Sequence, residues 1–375
     1  MLEQFKVSKE DEVRVSAEAL NKTVREIFER LGVPADQAAE GAHVLSMTDL
    51  RGVDSHGVSN MLRNYVEWFR NGRLNPDPNW TILRETPAIA SIDGDAGLGI
   101  IIGPAAMRIA IEKARNVGVG VVSMRNSGHL GAAGHLAMMA AEQNMIGVCM
   151  SAAGPRVLPT HGAEPRLGTN PIAYAAPTRN EPPVLFDIAT TVIAENKLRL
   201  AHRLGSELEP NWIARLDGSP ITERAIAPPR EQYQLLPLGG TREHGSHKGY
   251  GLGLWTEIMS TFLAGGVPSM LDPTQHFKHH FVAYDIEAFT DLDSYFDQMD
   301  AMLRRLQGTP TAPGQDRVIY PGVLEHEEEI HRREHGIPFH PEVIQWFESI
   351  TAELGVDPLE IMAVTRSEEG LPPAR

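Results

Sequence analysis

Three short turns carry the residues able to do chemistry in this chain. The run Arg125-Asn126-Ser127-Gly128-His129-Leu130-Gly131-Ala132-Ala133-Gly134-His135 follows an apolar, β-branched stretch, 117–124, that reads as a buried strand. It enters an Ala-rich stretch, 132–143, that reads as a helix. A turn of small residues at such a junction leaves backbone N–H groups free at the helix start, so Gly131, Ala132 and Ala133 can receive an anion such as a dinucleotide phosphate. His129 lies inside the turn. Its imidazole titrates near neutral pH and can move the proton that accompanies a hydride transfer; taken alone, it is also a loop histidine with no chemistry.

The second turn, Arg51-Gly52-Val53-Asp54-Ser55-His56-Gly57-Val58-Ser59-Asn60, precedes an apolar stripe at Val58, Met61, Leu62, Tyr65 and Phe69. Ser55 and His56 would face a cleft in which the helix dipole favours a carboxylate, or else Asp54 or Ser55 simply caps the helix. In the third, Gly245-Ser246-His247-Lys248-Gly249-Tyr250-Gly251-Leu252-Gly253, Lys248 offers a point charge for a phosphate or carboxylate. Asp187 follows the strand-like Val184-Leu185-Phe186, where it can accept from ribose hydroxyls or cap the next helix. His276, His279 and His280 suggest a metal cluster, but Lys278 interrupts them and no carboxylate stands at helical spacing, so no metal is expected.

The elements that must position these turns alternate in type. Ser16 predicts the cap of a helix through Leu31, and a second helix spans about 35–50. Residues 71–83 read as a loop, 88–92 as a strand, and Pro104 as the opening of a helix that ends near Gly118. Gly94, Gly97, Gly99 and Gly103 miss the spacing of a dinucleotide-binding fingerprint. Strands are expected at 145–150, 172–177 and 184–186, and a long surface excursion at 205–240. A helix follows at 291–307, then a short strand up to Tyr320 and two charged helices.

With 375 residues, 42% of them hydrophobic, the chain can bury a large core. A formal net charge of −15 argues against nucleic acid as a partner. Cys149 is the only cysteine, which excludes an internal disulfide and a cysteine-based metal cluster. No run suits a signal peptide or a membrane span, so a soluble cytoplasmic protein is expected. Three regions are expected: 1–85, the N-terminal helical part of a substrate lobe; 86–290, a sheet-containing nicotinamide-binding region; and 291–375, C-terminal helices packing back on the first.

In order, R-G-x-D-S-H-G-V, S-G-H-x-G-A-A-G-H, L-G-T-N-P-I-A, D-I-A-T-T, G-x-H-K-G-Y-G-L and Y-P-G resemble the type-2 malate/L-lactate dehydrogenase family. That group includes ureidoglycolate and sulfolactate dehydrogenases and cyclic-imine reductases. The resemblance runs from about residue 12 to 350. It implies an α/β protein, a three-layer α/β/α arrangement around a mixed, largely antiparallel sheet without a Rossmann fold, assembled as a homodimer. It also implies His129 as acid/base, Ser55 and His56 as a proton-transfer pair, and Thr169 as a substrate contact. Cofactor contacts are implied at Asp187, Ile188, Ala189, His247, Lys248, Pro321 and Gly322. Many members carry an arginine where this chain has Asn60; Arg63 or Arg156 takes over its carboxylate, or the substrate differs.

The expected activity is hydride transfer between NAD, or NADP, and C2 of a small 2-hydroxy or 2-oxo acid, with cyclic 2-imino acids as alternative substrates. A metal-dependent lyase or hydrolase, or a non-catalytic binding protein, stands further off.

Overall fold

The computed structural model describes residues 5–362. Strand β1 (Val13–Val15) leads into α1 (Ala17–Arg30), whose first turn is capped as expected: the Ser16 hydroxyl accepts from the Ala19 N–H at 3.1 Å. Helices α2 (Ala35–Leu50) and α3 (Val58–Arg70) flank the turn that carries Ser55 and His56. The cap of α3 comes neither from Asp54 nor from Ser55. The buried Asp49, at the end of α2, accepts the Val58 N–H at 2.9 Å. Gly57 permits this, because a Cβ there would stand 1.8 Å from Asp49 Oδ1.

Next come β2 (Thr81–Glu85), β3 (Ile89–Gly97), α4 (Gly99–Val117), β4 (Val119–Ser127), α5 (Ala133–Ala141) and β5 (Met145–Ala152). Strands β6 (Ile172–Ala176) and β7 (Val184–Ile188) and helix α6 (Glu195–Leu204) complete the central region. The surface excursion holds the two-residue strands β8 (Glu207–Leu208), β9 (Ile213–Ala214), β10 (Ala225–Ile226) and β11 (Gln234–Leu235) and one 3-10 turn, Arg230–Gln232. Helix α7 (Ser246–Glu257) runs on into a π-helical turn, Ile258–Phe262, and then come β12 (Phe277–Asp285), α8 (Leu292–Gln307), α9 (Val323–His335), β13 (Ile337–Phe339) and α10 (Pro341–Leu354).

Seven strands form one sheet in the order β2-β3-β4-β12-β5-β6-β7. Only β3 and β4 are parallel, joined by the crossover helix α4; every other neighbouring pair is antiparallel. Helices α4 and α5 pack on one face, and α7 with its π turn on the other, which gives the three layers and no doubly wound order. Among the described residues no helix is long and apolar enough to cross a membrane.

Three expectations are corrected, and the 276–280 histidine stretch finds its place in the sheet. The sheet's middle strand, β12, is the stretch whose histidines suggested a metal cluster. Its polar side chains are satisfied internally: His279 bonds Ser151 Oγ at 3.0 Å, Ser127 Oγ at 3.1 Å and the Gly128 carbonyl at 3.0 Å, and His280 bonds Ser123 Oγ at 2.8 Å. Helix α4 starts at Gly99 rather than Pro104, because Ile100, Ile101 and Ile102 are buried and propagate the helix backwards. A strand, β2, ends the expected 71–83 loop, and no strand forms just before Tyr320.

The C-terminal elements return to the N-terminal helices. β13 pairs with β1 (Val13↔Phe339), α10 packs on α1, and α9 packs on α2. From α9 the buried Arg332 donates to the Asp49 carbonyl at 2.7 Å, to both Asp54 oxygens, and to Glu328 at 2.7 Å. Removing one member of such a buried network strands the others' charge. Arg332→Ala should therefore destabilise the fold by about 3–5 kcal/mol in denaturant unfolding, whereas a loss within the ±0.5 kcal/mol range of an ordinary surface substitution contradicts this account.

Candidate active site

The three turns do not all converge. A cavity of about 700 Å³ opens where the turn after β4, the α2–α3 turn, the ends of β5 and β7, and the start of α6 meet. His129, Ser55, His56, Thr169, Arg156, Gly131, Ala132, Ala133, Asp187, Ile188 and Ala189 all line it.

His129 is held from two sides. Its Nδ1 accepts the Gly131 N–H at 3.2 Å and lies 2.7 Å from the Tyr65 hydroxyl. A backbone N–H can only donate, so Nδ1 is unprotonated, Tyr65 donates to it, and the neutral ring carries its hydrogen on Nε2. The ring stacks on His56 at 5.8 Å and meets the edge of Phe277 at 5.4 Å. Gly99 makes room for this turn, since a Cβ there would lie 2.6–2.8 Å from the Gly128 and His129 backbone. His56 Nδ1 is 2.8 Å from Ser55 Oγ.

Burial, helped by the charges of His56, His279 and Arg199, holds the His129 pKa well below its usual range. Burial, helped by Lys197, lowers His56 to about 4. Tyr65 is pushed well up by burial and so keeps its proton. Asp187 is exposed to the cavity, and partial desolvation at its edge raises it to about 6 although its Oδ2 accepts the Gly134 N–H at 2.7 Å. It thus serves the first turn of α5 rather than the helix that follows β7.

Asn60 and Arg63 are placed elsewhere. The buried Asn60 spends its amide on the carbonyls of Ser55 (3.3 Å) and Asn196 (2.9 Å), tying the α2–α3 turn to the start of α6. Arg63 pairs with Glu342 at 3.4 Å and lies over Trp346, because its face of α3 meets α10 and not the cavity. His247 and Lys248 are exposed on the first turn of α7, outside the cavity wall, with His247 Nδ1 accepting from Arg242 at 3.0 Å. Pro321 and Gly322 also lie off the wall; the Pro321 carbonyl accepts from Leu185, and Glu325, one helical turn into α9, reaches the cavity.

Several residues of the site escaped the sequence reading: Lys197 and Arg199 on α6 and Arg73 on the cavity wall, and Tyr65 behind His129. Tyr65 was visible as part of an apolar stripe, and its hydroxyl was the signal. Lys197 and Arg199 stand on an amphipathic helix whose charges look like an ordinary solvated face.

The model of the malate/L-lactate dehydrogenase family matches residues 15–348. The chain is 39% identical over 358 residues to a malate dehydrogenase of Pyrococcus abyssi, covering 94% of this chain and 98% of that one. It is 33% identical over 342 residues to an L-sulfolactate dehydrogenase of Methanocaldococcus jannaschii, covering 90% and 96%. The solved malate dehydrogenase of Pyrococcus horikoshii OT3 superposes with a TM-score of 0.86 at 36% identity, covering 94% and 99% of the two chains. This fold and site define a hydroxy-acid dehydrogenase. The chain belongs to the malate/L-lactate dehydrogenase family.

The enclosed histidines set a pH dependence of stability. His56 and His280 are lowered to about 4, and His135 and His279 to about 3, chiefly by burial. Each stays neutral in the folded chain while the unfolded chain takes up a proton below about 6.5. Their stabilisation is therefore present above 6.5 and is lost as pH falls toward 3–4. Asp187, at about 6, and the raised Asp49 act with the opposite sign, but they are two groups against these four histidines and His129, which is also lowered. The melting temperature should fall steadily from pH 6.5 to 4, with a shallower slope for His280→Asn; a flat or rising profile contradicts the assignment.

Proposed function

We propose that this dehydrogenase uses NAD, with NADP as the alternative, to exchange hydride with C2 of a small 2-hydroxy or 2-oxo acid, and that His129 moves the accompanying proton. The observation that carries the reading is the fixed tautomer of His129. With Nδ1 occupied by Tyr65 and Gly131, Nε2–H is the ring's remaining polar group on a cavity wall, ready to donate to an oxo group as it becomes a hydroxyl. Tyr65, held protonated, positions the ring. Ser55 and His56 border the same space as a second donor pair.

The residues present suit a dinucleotide. The cavity is large enough to enclose the reacting end, the start of α5 offers the N–H groups of Ala132 and Ala133, and Lys197 brings positive charge beside Asp187 and Glu325. When bound, the nicotinamide supplies the hydride chemistry. Ile188 and Ala189 give it an apolar wall, and Asp187 stands at the cavity edge for a ribose hydroxyl. Arg199, whose charge reaches His129, takes the C1 carboxylate, with Thr169 alongside.

We further propose a cytoplasmic homodimer. A chain whose one cysteine is buried needs no oxidising compartment. Leu254, Trp255, Ile258, Phe262 and Leu263 form an exposed apolar face along α7 and its π turn, more than a lone soluble chain leaves to water. Phe262→Glu should shift the particle mass measured by light scattering from two chains to one; an unchanged mass rules out this face as the interface.

The activity itself is tested with NADH and NADPH against a panel of 2-oxo acids. At least one nucleotide should raise the melting temperature, and His129→Ala should lower turnover about 10²–10⁴-fold with nucleotide binding retained. His56→Ala should cost less. Absence of a shift with both nucleotides would sink the reading.

A further inference from the structure

Arg73 lies just beyond α3 on the wall of the cavity that holds His129. Its guanidinium stacks 4.5 Å from the centre of the Trp68 ring and donates to the Gln275 carbonyl at 3.1 Å. Among the described residues no carboxylate pairs with it. Arg156, on the same wall after β5, is half exposed and reaches Glu195 at 3.5 Å. Glu195 is shared with Arg230 at 2.8 Å and Arg199 at 4.0 Å. One carboxylate thus serves three guanidiniums while Arg73 has none.

Burial and the charge of Arg156 both act against the Arg73 cation, which places the two guanidiniums within each other's field. Two like charges held beside one concave surface raise the local positive potential and favour anions there. The stacking on Trp68 and the carbonyl contact fix the plane of Arg73, so its fork is preorganised for a planar or tetrahedral oxyanion. A C1 carboxylate needs one such partner, the role proposed above for Arg199, which would leave Arg73 and Arg156 in excess of what a monoanionic acid requires.

On the reading that this cavity takes a 2-oxo acid, we propose that Arg73, with Arg156, is a specificity-determining residue that binds a second anionic group, a carboxylate or sulfonate, at the end of the substrate remote from C1. The pair makes the enzyme selective for dianionic over monoanionic acids. The second group takes no part in bond making or breaking. It orients C2 toward His129 and lowers the barrier through binding energy remote from the reacting carbon.

The test compares reduction of oxaloacetate and pyruvate by the intact enzyme with its nicotinamide, and the melting-temperature shifts given by malate and lactate without turnover. The wild type should favour oxaloacetate, and Arg73→Gln should lower the oxaloacetate-to-pyruvate ratio of kcat/KM by about 10²-fold while shrinking the malate shift. Arg73→Lys should fall between the two. Should Arg73→Gln not fold, Arg156→Gln carries the same expectation. Equal losses on both acids, an unmoved ratio, or a wild type that reduces pyruvate as well as oxaloacetate overturns the proposal alone. A wild type that reduces neither acid, nor any other 2-oxo acid, overturns the reading on which it rests.

Discussion

The carboxylate of Asp49 is the constraint on which the site's geometry rests. It is a fully buried acid at the end of α2: one side-chain oxygen accepts a backbone N–H from the start of α3, while Arg332 crosses from α9 to its main-chain carbonyl and to Asp54. Burial and the nearby Asp54 still push its pKa well up. The two helices are thereby fixed end to start, and the turn between them has no freedom to swing. Ser55 and His56 are delivered to the cavity by that rigidity, and Tyr65, two turns along α3, is delivered to His129 by the same helix. A site on a turn gains the precision of a site on a helix when the turn is clamped at both ends.

A second consequence follows from enclosure. His129, His56, His135, His279 and His280 are all kept from charging by desolvation, yet each has defined hydrogen-bond or ring partners. Neutral imidazoles pack and orient without the solvation demand of a cation. At His129 a neutral ring with a fixed tautomer leaves one known nitrogen, Nε2–H, free for the proposed proton transfer. At His279 and His280 the same physics builds the middle of a sheet, pairing rings with serine hydroxyls across strands. One residue type therefore does two jobs, and the distinction lies in whether a cavity adjoins the ring.

Much of the architecture was legible in the sequence. The helix cap at Ser16, the strand–turn–helix around His129 and the absence of a dinucleotide fingerprint all rest on local signals, and the mixed sheet came from resemblance. What was hidden depends on contacts between residues far apart in sequence. β12 went unassigned as a strand because its histidines make sense only between two serine-bearing neighbours. Asn60 invited a substrate role that its two carbonyl partners remove, and Arg63 a role that the docking of α10 removes. The spatial grouping of Arg73, Arg156 and Arg199 joins three segments, and no periodicity links them.

The change at Asn60 and the grouping of arginines belong together. An arginine on α3 at that position would project from a helix whose face is set by Asp49, and its reach would be fixed by that helix. With Asn60 instead bonding the α6 start, α6 is drawn against the α2–α3 turn, and Lys197 and Arg199 come to the cavity on it. The positive charge thereby stands off α3, on elements that line the cavity from other sides, Arg199 from α6, Arg156 from the end of β5 and Arg73 from the segment after α3. A charge supplied from several directions can meet anionic groups at both ends of a small molecule, which a single helix-borne arginine cannot do. The asparagine thus holds the turn to α6, and on the proposed reading recognition falls to residues other than itself.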